Sequence, residues 1–292
     1  MKYLQGQHIL ILGLGSSGLA MTRWCVAMGA EVTVADTREA PPHLSVLQAE
    51  LPQVAFKSGA FLANLIEGTT VRAVFASPGL APIETAPVID AAKSLGLWVG
   101  GELSLFVQGL ENLKATRDYS PHVLAITGTN GKTTVTALTG QLMERAGKTV
   151  KVAGNIGPTL LDTLRLAMDT ALPEVWVLEL SSFQLDNAGP FDPSAATVLN
   201  ITQDHLDWHG TMEAYAAAKE KIFGANTLMV LNRDDARVMA MLPEPVRAKL
   251  QKPIEREHVT FGAEMPQRPG DFGLETVNGM TWLVRALESD ET

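Results

Sequence analysis

Residues 123–134 read Val-Leu-Ala-Ile-Thr-Gly-Thr-Asn-Gly-Lys-Thr-Thr. An apolar run that breaks into a glycine loop and enters a helical pattern at Lys-Thr-Thr leaves the backbone few choices. It leaves a buried strand, turns with its N–H groups exposed and starts a helix, which is the phosphate-cradling unit of parallel α/β sheets. In such a unit the loop N–H groups of Gly128, Thr129, Asn130 and Gly131 face an anion, Lys132 neutralises the terminal phosphates and the Thr133 hydroxyl reaches Mg²⁺. With Thr134, these residues form the candidate nucleotide site. The spacing departs from G-x-x-x-x-G-K-T, which would place glycine at 126, where Ile126 stands. Glycines, lysine and paired threonines at one strand-to-helix junction still favour nucleoside triphosphate binding over a plain turn.

A second junction lies near the start, in His-Ile-Leu-Ile-Leu-Gly-Leu-Gly-Ser-Ser-Gly-Leu-Ala from His8. Gly13, Gly15 and Gly18 match G-x-G-x-x-G between a strand and a helix, and Asp36 closes the next strand, where such folds hold an acid for a ribose or base. The turn is read as a pyrophosphate site, although its ligand need not be a dinucleotide.

Around these two turns the chain alternates short apolar runs with helical stretches, the pattern of βαβ units on parallel sheets. Strands are expected over 8–12, 31–35, 71–76 and 97–99, and then over 123–127, 149–153, 175–180, 196–201 and 228–231. The clearest helices are 18–28, 133–146 and 212–223. The polar stretch 111–121 is the linker candidate, dividing a domain over 1–117 from a second over 118–292. Residues 272–284 alternate apolar and polar around Asn278-Gly279, a type I′ hairpin signal, and the tail 288–292 has no pattern.

Composition bounds the chemistry. A content of 46% hydrophobic residues supports real cores, and a net charge of −9 argues against a nucleic-acid or anionic-membrane partner, so phosphate chemistry has to be local. No apolar run reaches the roughly 18 residues of a membrane span. The single cysteine, Cys25, reads as a buried thiol in a reducing, cytoplasmic setting.

Two further stretches fall at strand ends. Val175–Glu179 is apolar and ends in a carboxylate, a candidate Mg²⁺ ligand, though a strand-end glutamate alone reads as solvated. Thr202-Gln203-Asp204-His205-Leu206-Asp207 gathers a histidine and two acids at the sheet edge where doubly wound folds bind ligands, while a lone histidine there is more often structural.

Taken in order, the sequence resembles the ATP-dependent Mur ligases of peptidoglycan synthesis. The resemblance rests on TGTNGKTT at 127–134, GNIG at 154–157, ELSSFQL at 179–185, N-I-T-x-D-H-L-D at 200–207 and Y-x-x-A-K at 215–219. ELSSFQL and the GLGSSG turn are similar to the D-glutamate-adding branch, whereas TGTNGKTT alone also admits folylpolyglutamate synthetase. The resemblance implies a Rossmann-like parallel-sheet domain binding UDP-N-acetylmuramoyl-L-alanine, followed by a P-loop-type α/β ATPase domain. Leu14, Gly15, Ser16 and Ser17 would meet the diphosphate, Asp36, Thr37 and Arg38 the uridine, and Ser77, Pro78 and Gly79 the edge of that site. Asn155, Ser181 and Gln184 would line the muramoyl substrate. Lys132, His205 and Lys219 would be catalytic. Thr133, Glu179, His205 and Lys219 would serve two Mg²⁺ sites.

Lys219 matches the family lysine carbamylated by CO₂; read from its own surroundings in the sequence, it belongs to the solvated face of an amphipathic helix. The implied reaction passes the γ-phosphoryl group of ATP to the substrate carboxylate, and the amine of D-glutamate attacks the acyl phosphate. Family members continue into a third domain, so residues 1–292 are expected to be a monomeric two-domain piece with little turnover alone. A nicotinamide-dependent dehydrogenase would explain Gly13 to Gly18 and Asp36 but leave 128–134 without a role. A nucleotide-dependent binding module would respond to ATP without affinity for a UDP-sugar.

Overall fold

The computed structural model describes residues 2–245 and 254–288, so most of the tail expected to lack pattern lies outside the described residues. The first half runs β1 (His8–Leu12), α1 (Ser16–Ala27), β2 (Glu31–Asp36), α2 (Leu44–Glu50), β3 (Ala55–Ser58), β4 (Val71–Ala76), α3 (Pro82–Ser94), β5 (Trp98–Gly100) and α4 (Glu102–Arg117). Its strands are parallel and ordered β3-β2-β1-β4-β5. The order reverses at β1, which opens a crevice at the carboxyl ends of β1 and β4.

The second half runs β6 (His122–Thr127), α5 (Lys132–Arg145), β7 (Val150–Gly154), α6 (Leu160–Asp169), β8 (Val175–Glu179), α7 (Ser182–Asp186), β9 (Ala195–Val198), α8 (Leu206–His209), α9 (Met212–Glu220), β10 (Leu228–Asn232), α10 (Ala236–Met239), β11 (His258–Phe261), β12 (Phe272–Val277) and β13 (Met280–Arg285). The sheet order is β13-β12-β11-β10-β9-β6-β8-β7, parallel up to the closing antiparallel hairpin. Asn278 and Gly279 have φ of 51° and 78°, the left-handed pair that a type I′ turn needs. The chain is therefore a Rossmann-like parallel sheet followed by a P-loop-type α/β sheet.

The linker expected over 111–121 is mostly helix. α4 continues to Arg117 because Phe106, Gly109 and Leu113 recur on one buried face while Glu111, Lys114 and Arg117 point outward. A Cβ on Gly109 would stand 2.8 Å from the Trp24 ring and 3.0 Å from Leu164, so glycine here lets α4 approach α1 and α6. These helices pack between the sheets, and Ile11 of β1 and Leu178 of β8 belong to one continuous core. Strand β3 escaped the sequence reading because Ala55–Ser58 is a largely exposed edge with no apolar alternation.

Candidate functional site

At the first turn, Gly13 (φ 85°) leaves β1, and a Cβ on Gly18 would fall 1.9 Å from the Gly13 carbonyl oxygen. Close approach of strand and helix thus requires glycine at 18. Asp36, 1% exposed, locks the turn: its Oδ2 accepts the Leu14 N–H at 2.7 Å, and Arg38 donates Nε to Oδ1 and Nη2 to Oδ2, both at 2.8 Å. Burial pushes this carboxyl up, but the bonds from Arg38 and Leu14 outweigh it and hold Asp36 below its usual range. The Ser77 hydroxyl donates to the Gly13 carbonyl at 3.1 Å from the end of β4. Leu14, Asp36, Arg38 and Ser77 are thereby gathered at one sheet edge, with Thr37 and Gly79 exposed and Pro78 half-buried beside them. Ser16 Oγ lies 3.3 Å from His43 Nε2, and the Ser17 hydroxyl donates to Glu102 at 2.7 Å.

At the second turn, Gly128 (φ 154°) and Gly131 (φ 80°) carry the chain from β6 into α5. Lys132 curls over its own loop, donating to the carbonyls of Gly128 at 3.0 Å and Thr129 at 2.9 Å. Glu179 is not the solvated strand end that its position alone suggests. It is 2% exposed and accepts from the Thr133 hydroxyl at 3.1 Å and from Asn155 Nδ2 at 3.2 Å. A Cβ on Gly154 would fall 2.0 Å from the Glu179 carbonyl, so this glycine lets β7 press against β8 and bring Asn155 into reach.

The solvated-face reading of Lys219 is overturned. Tyr215 and Ala218 turn the same side of α9 inward, and Lys219 is 1% exposed. Its Nζ donates to the Gly128 carbonyl at 2.9 Å and the Thr127 hydroxyl at 3.3 Å, and it sits 4.7 Å from the Tyr215 ring centroid. Burial, aided by the charge of Lys132, lowers its pKa to about 7.

His205 lies apart from the Thr133–Glu179 pair in its contacts. It is 46% exposed, with Nε2 at 3.4 Å from Asp204, and its ring packs on Phe183 at 4.7 Å. Ser181 and Gln184 form a reciprocal capping box at the start of α7, with Gln184 N–H to Ser181 Oγ at 3.2 Å and Ser181 N–H to Gln184 Oε1 at 3.0 Å.

Asn200 and Tyr215 brace the second glycine loop and were not among the expected site residues. Asn200 Oδ1 accepts the Asn130 N–H at 2.9 Å and its amide donates to the Asn130 carbonyl at 3.1 Å, while Tyr215 OH meets Thr129 Oγ1 at 3.1 Å. The signal was present in N-I-T one residue beyond the end of β9 and in the spacing of four between Tyr215 and Lys219.

A buried carboxylate beside a threonine hydroxyl at the mouth of a phosphate loop suits Mg²⁺, which takes few protein ligands and completes its shell with water and phosphate oxygens. Glu179 has no cationic partner among the described residues. Among those residues no group of three or more His, Cys, Asp or Glu side chains is placed to hold a metal.

Residues 7–101 match the family described as Mur ligase MurD-like, N-terminal domain, and residues 126–275 match the Mur ligase middle domain. The chain is 69% identical over 294 residues to the UDP-N-acetylmuramoylalanine–D-glutamate ligase of Albidiferax ferrireducens, a match covering 100% of this chain and 58% of that protein. It is 52% identical over 379 residues to the protein of the same name from Polaromonas sp., covering 100% of this chain and 65% of that one. The chain thus spans about three fifths of the length of these curated relatives. Among solved structures, the ADP complex of MurF ligase from Thermotoga maritima aligns with a TM-score of 0.46 and 18% identity over 97% of this chain and 56% of that one.

Proposed function

The chain belongs to the Mur ligase family, and on that premise we propose that it serves the ATP-dependent addition of D-glutamate to UDP-N-acetylmuramoyl-L-alanine in peptidoglycan synthesis. The observation that carries this reading is the pair of glycine turns, one locked by Asp36 and Arg38 and the other facing Thr133, Glu179 and buried Lys219. We divide the chain into a UDP-substrate domain over 1–117 and an ATP domain over 118–292; the end of α4 at Arg117 and the two matched segments support that division. A dehydrogenase is not favoured, since it gives the loop at 128–134 no role.

In the first domain, Leu14, Gly15, Ser16 and Ser17 at the start of α1 meet the diphosphate, through the N–H groups of Gly15, Ser16 and Ser17 and the two serine hydroxyls, while the Leu14 N–H stays with Asp36; the uridine lies against Asp36, Thr37 and Arg38, with Ser77, Pro78 and Gly79 at its edge. In the second, residues 128–134 cradle the ATP phosphates, and Lys132 exchanges two loop carbonyls for phosphate oxygens. Thr133 and Glu179 hold Mg²⁺. His205 and Lys219 belong to a second Mg²⁺ site on family resemblance, and Asn155, Ser181 and Gln184 line the muramoyl group. The metal, when bound, draws charge from the phosphates so that two anions can meet.

A carboxylate is a poor electrophile, so the L-alanine carboxylate first attacks the γ-phosphorus; its C–O–P bond forms as the bond to ADP breaks. The neutral amine of D-glutamate then attacks the carbonyl; the C–N bond forms as the acyl C–O bond to phosphate breaks, and the surplus N–H proton passes to water or the leaving phosphate. Lys132, held beside the loop, stabilises the charge that gathers on the transferring group.

Lys219 is suited to carbamylation because burial favours its neutral amine, which adds to CO₂ with loss of one N–H proton to water. The product is an anion facing Lys132, which replaces like-charge repulsion by attraction. We place the protein in the cytoplasm as a monomer; no helix among the described residues is long and apolar enough to cross a membrane.

Calorimetric titration tests the reading. UDP-N-acetylmuramoyl-L-alanine and MgATP should each bind, and Glu179→Gln should weaken MgATP binding while sparing the UDP-substrate. Binding of a nicotinamide dinucleotide with neither of these ligands would overturn it.

A further inference from the structure

Glu102 is 2% exposed and touches the first site only through Ser17, with no role assigned to it above. It stands at the start of α4, where the N-termini of three helices converge on its carboxylate. From α1 the Ser17 hydroxyl donates to Oε2 at 2.7 Å, and from α6 the Leu161 N–H donates to Oε1 at 3.1 Å. α1 opens from the glycine turn, and α6 follows the loop that carries Asn155. A serine hydroxyl has one proton to give. When Ser17 gives it to a phosphate oxygen, Glu102 Oε2 loses its donor in a buried place, where a bare carboxylate oxygen is costly.

We propose that Glu102 is a positioning residue that takes up a proton when a nucleoside diphosphate binds at the Gly13–Gly18 turn, its new O–H donating to Ser17 while Ser17 donates to the phosphate. The inference rests on the reading of that turn as the diphosphate site. The proton comes from solvent, and the only covalent bond formed is the Glu102 O–H. The relay keeps α1, α4 and α6 joined in the bound state, so the diphosphate turn and the Asn155 loop stay in register.

The surroundings favour this exchange. Burial raises the Glu102 pKa to about 7 against the bonds from Ser17 and the α6 backbone, and the charge of Asp162 on α6 adds to the rise. The nearby cations are already committed: Arg23 of α1 lies 2.7 Å from Glu50 of α2 and 3.1 Å from Asp162, and Arg165 of α6 lies 3.7 Å from Asp162. A diphosphate arriving at the N-terminus of α1 adds negative charge and pushes Glu102 further toward its protonated form.

The test is calorimetric titration with UDP-N-acetylmuramoyl-L-alanine, a diphosphate diester whose phosphates do not titrate near neutrality, in HEPES and in Tris, which differ in ionisation enthalpy. At about pH 8 the observed heats should differ between buffers by an uptake approaching about one proton per ligand, and at about pH 6, in a matching pair of buffers, uptake should fall toward zero. Glu102→Gln, whose amide N–H can replace the acid O–H toward Ser17, should bind at least as tightly and show no uptake. Buffer-independent heats in the unmodified protein at about pH 8, or uptake that persists in Glu102→Gln, would overturn the proton link. Absence of binding by the folded protein would instead overturn the diphosphate reading, and the inference with it.

Discussion

The ammonium groups of Lys132 and Lys219 share one acceptor, the carbonyl oxygen of Gly128, at 3.0 and 2.9 Å. One lysine comes from the helix that the loop starts and the other from α9, so the like charges are brought together only by tertiary packing. Lys132 is half-buried at the mouth of the loop, whereas Lys219 is sealed beneath it, and it is Lys219 whose pKa falls to about 7.

Removing the neighbouring charge should therefore change the chemistry of the buried amine. Lys132→Met is expected to raise the Lys219 pKa and reduce the share of neutral amine near neutrality. With ¹³C-bicarbonate, the unmodified protein should show a carbamate signal that weakens in Lys132→Met and disappears in Lys219→Met. An undiminished signal in Lys219→Met would place the carbamate elsewhere.

Two buried groups give stability a pH dependence of opposite sign. Glu102 is raised from 4.5 to about 7, so the folded state binds its proton more tightly and stability falls as pH rises through that window. Lys219 is lowered from 10.5 to about 7, so the unfolded state binds more protons between those values and stability rises with pH there. Their summed contribution is least favourable near neutrality, with a limiting slope of about 1.4 kcal/mol per pH unit for each group. Thermal unfolding across pH should lose the acid-side slope in Glu102→Gln and the alkaline-side slope in Lys219→Met.

The first turn should separate folding from binding. Gly18→Ala has to displace the Gly13 carbonyl, which would stand 1.9 Å from the new Cβ, and is expected to cost upwards of about 2 kcal/mol. A Cβ on Gly15 meets nothing within 4 Å, and the backbone there is extended with φ −85°. Gly15→Ala should keep its unfolding midpoint yet lose UDP-substrate affinity, because the methyl would intrude into the space the proposed function gives to the diphosphate. Unimpaired binding by Gly15→Ala would count against close backbone approach at that position.

Arg38→Ala removes two charge-assisted bonds to Asp36 and leaves a buried carboxylate with the Leu14 N–H and the backbone of residue 38. Affinity for the UDP-substrate should fall about tenfold or more, from a loss of roughly 1.5–3 kcal/mol. MgATP binding should stay within about twofold. Equal loss of both ligands with the fold intact would sink the two-site assignment.

The sequence by itself determined the elements whose geometry is local. Gly13, Gly15 and Gly18 after one apolar strand and Gly128 to Thr134 after another mark two strand-to-helix turns, and Asn278-Gly279 marks the hairpin, because backbone freedom and alternation over a few residues decide such features. Tertiary structure decided which charged groups are buried. Glu179 and Lys219 each look solvated along the chain and Glu102 carries no signal there, yet each is at most 2% exposed because a second element closes over it. The stretch 111–121 reads as a polar linker until the buried face of α4, Phe106, Gly109 and Leu113, is laid against α1 and α6. Periodicity records which side of an element faces inward, but the desolvation of a carboxylate or an amine depends on what packs against that side, and here the hydrogen-bond partners come from 24 to 92 residues away in the chain.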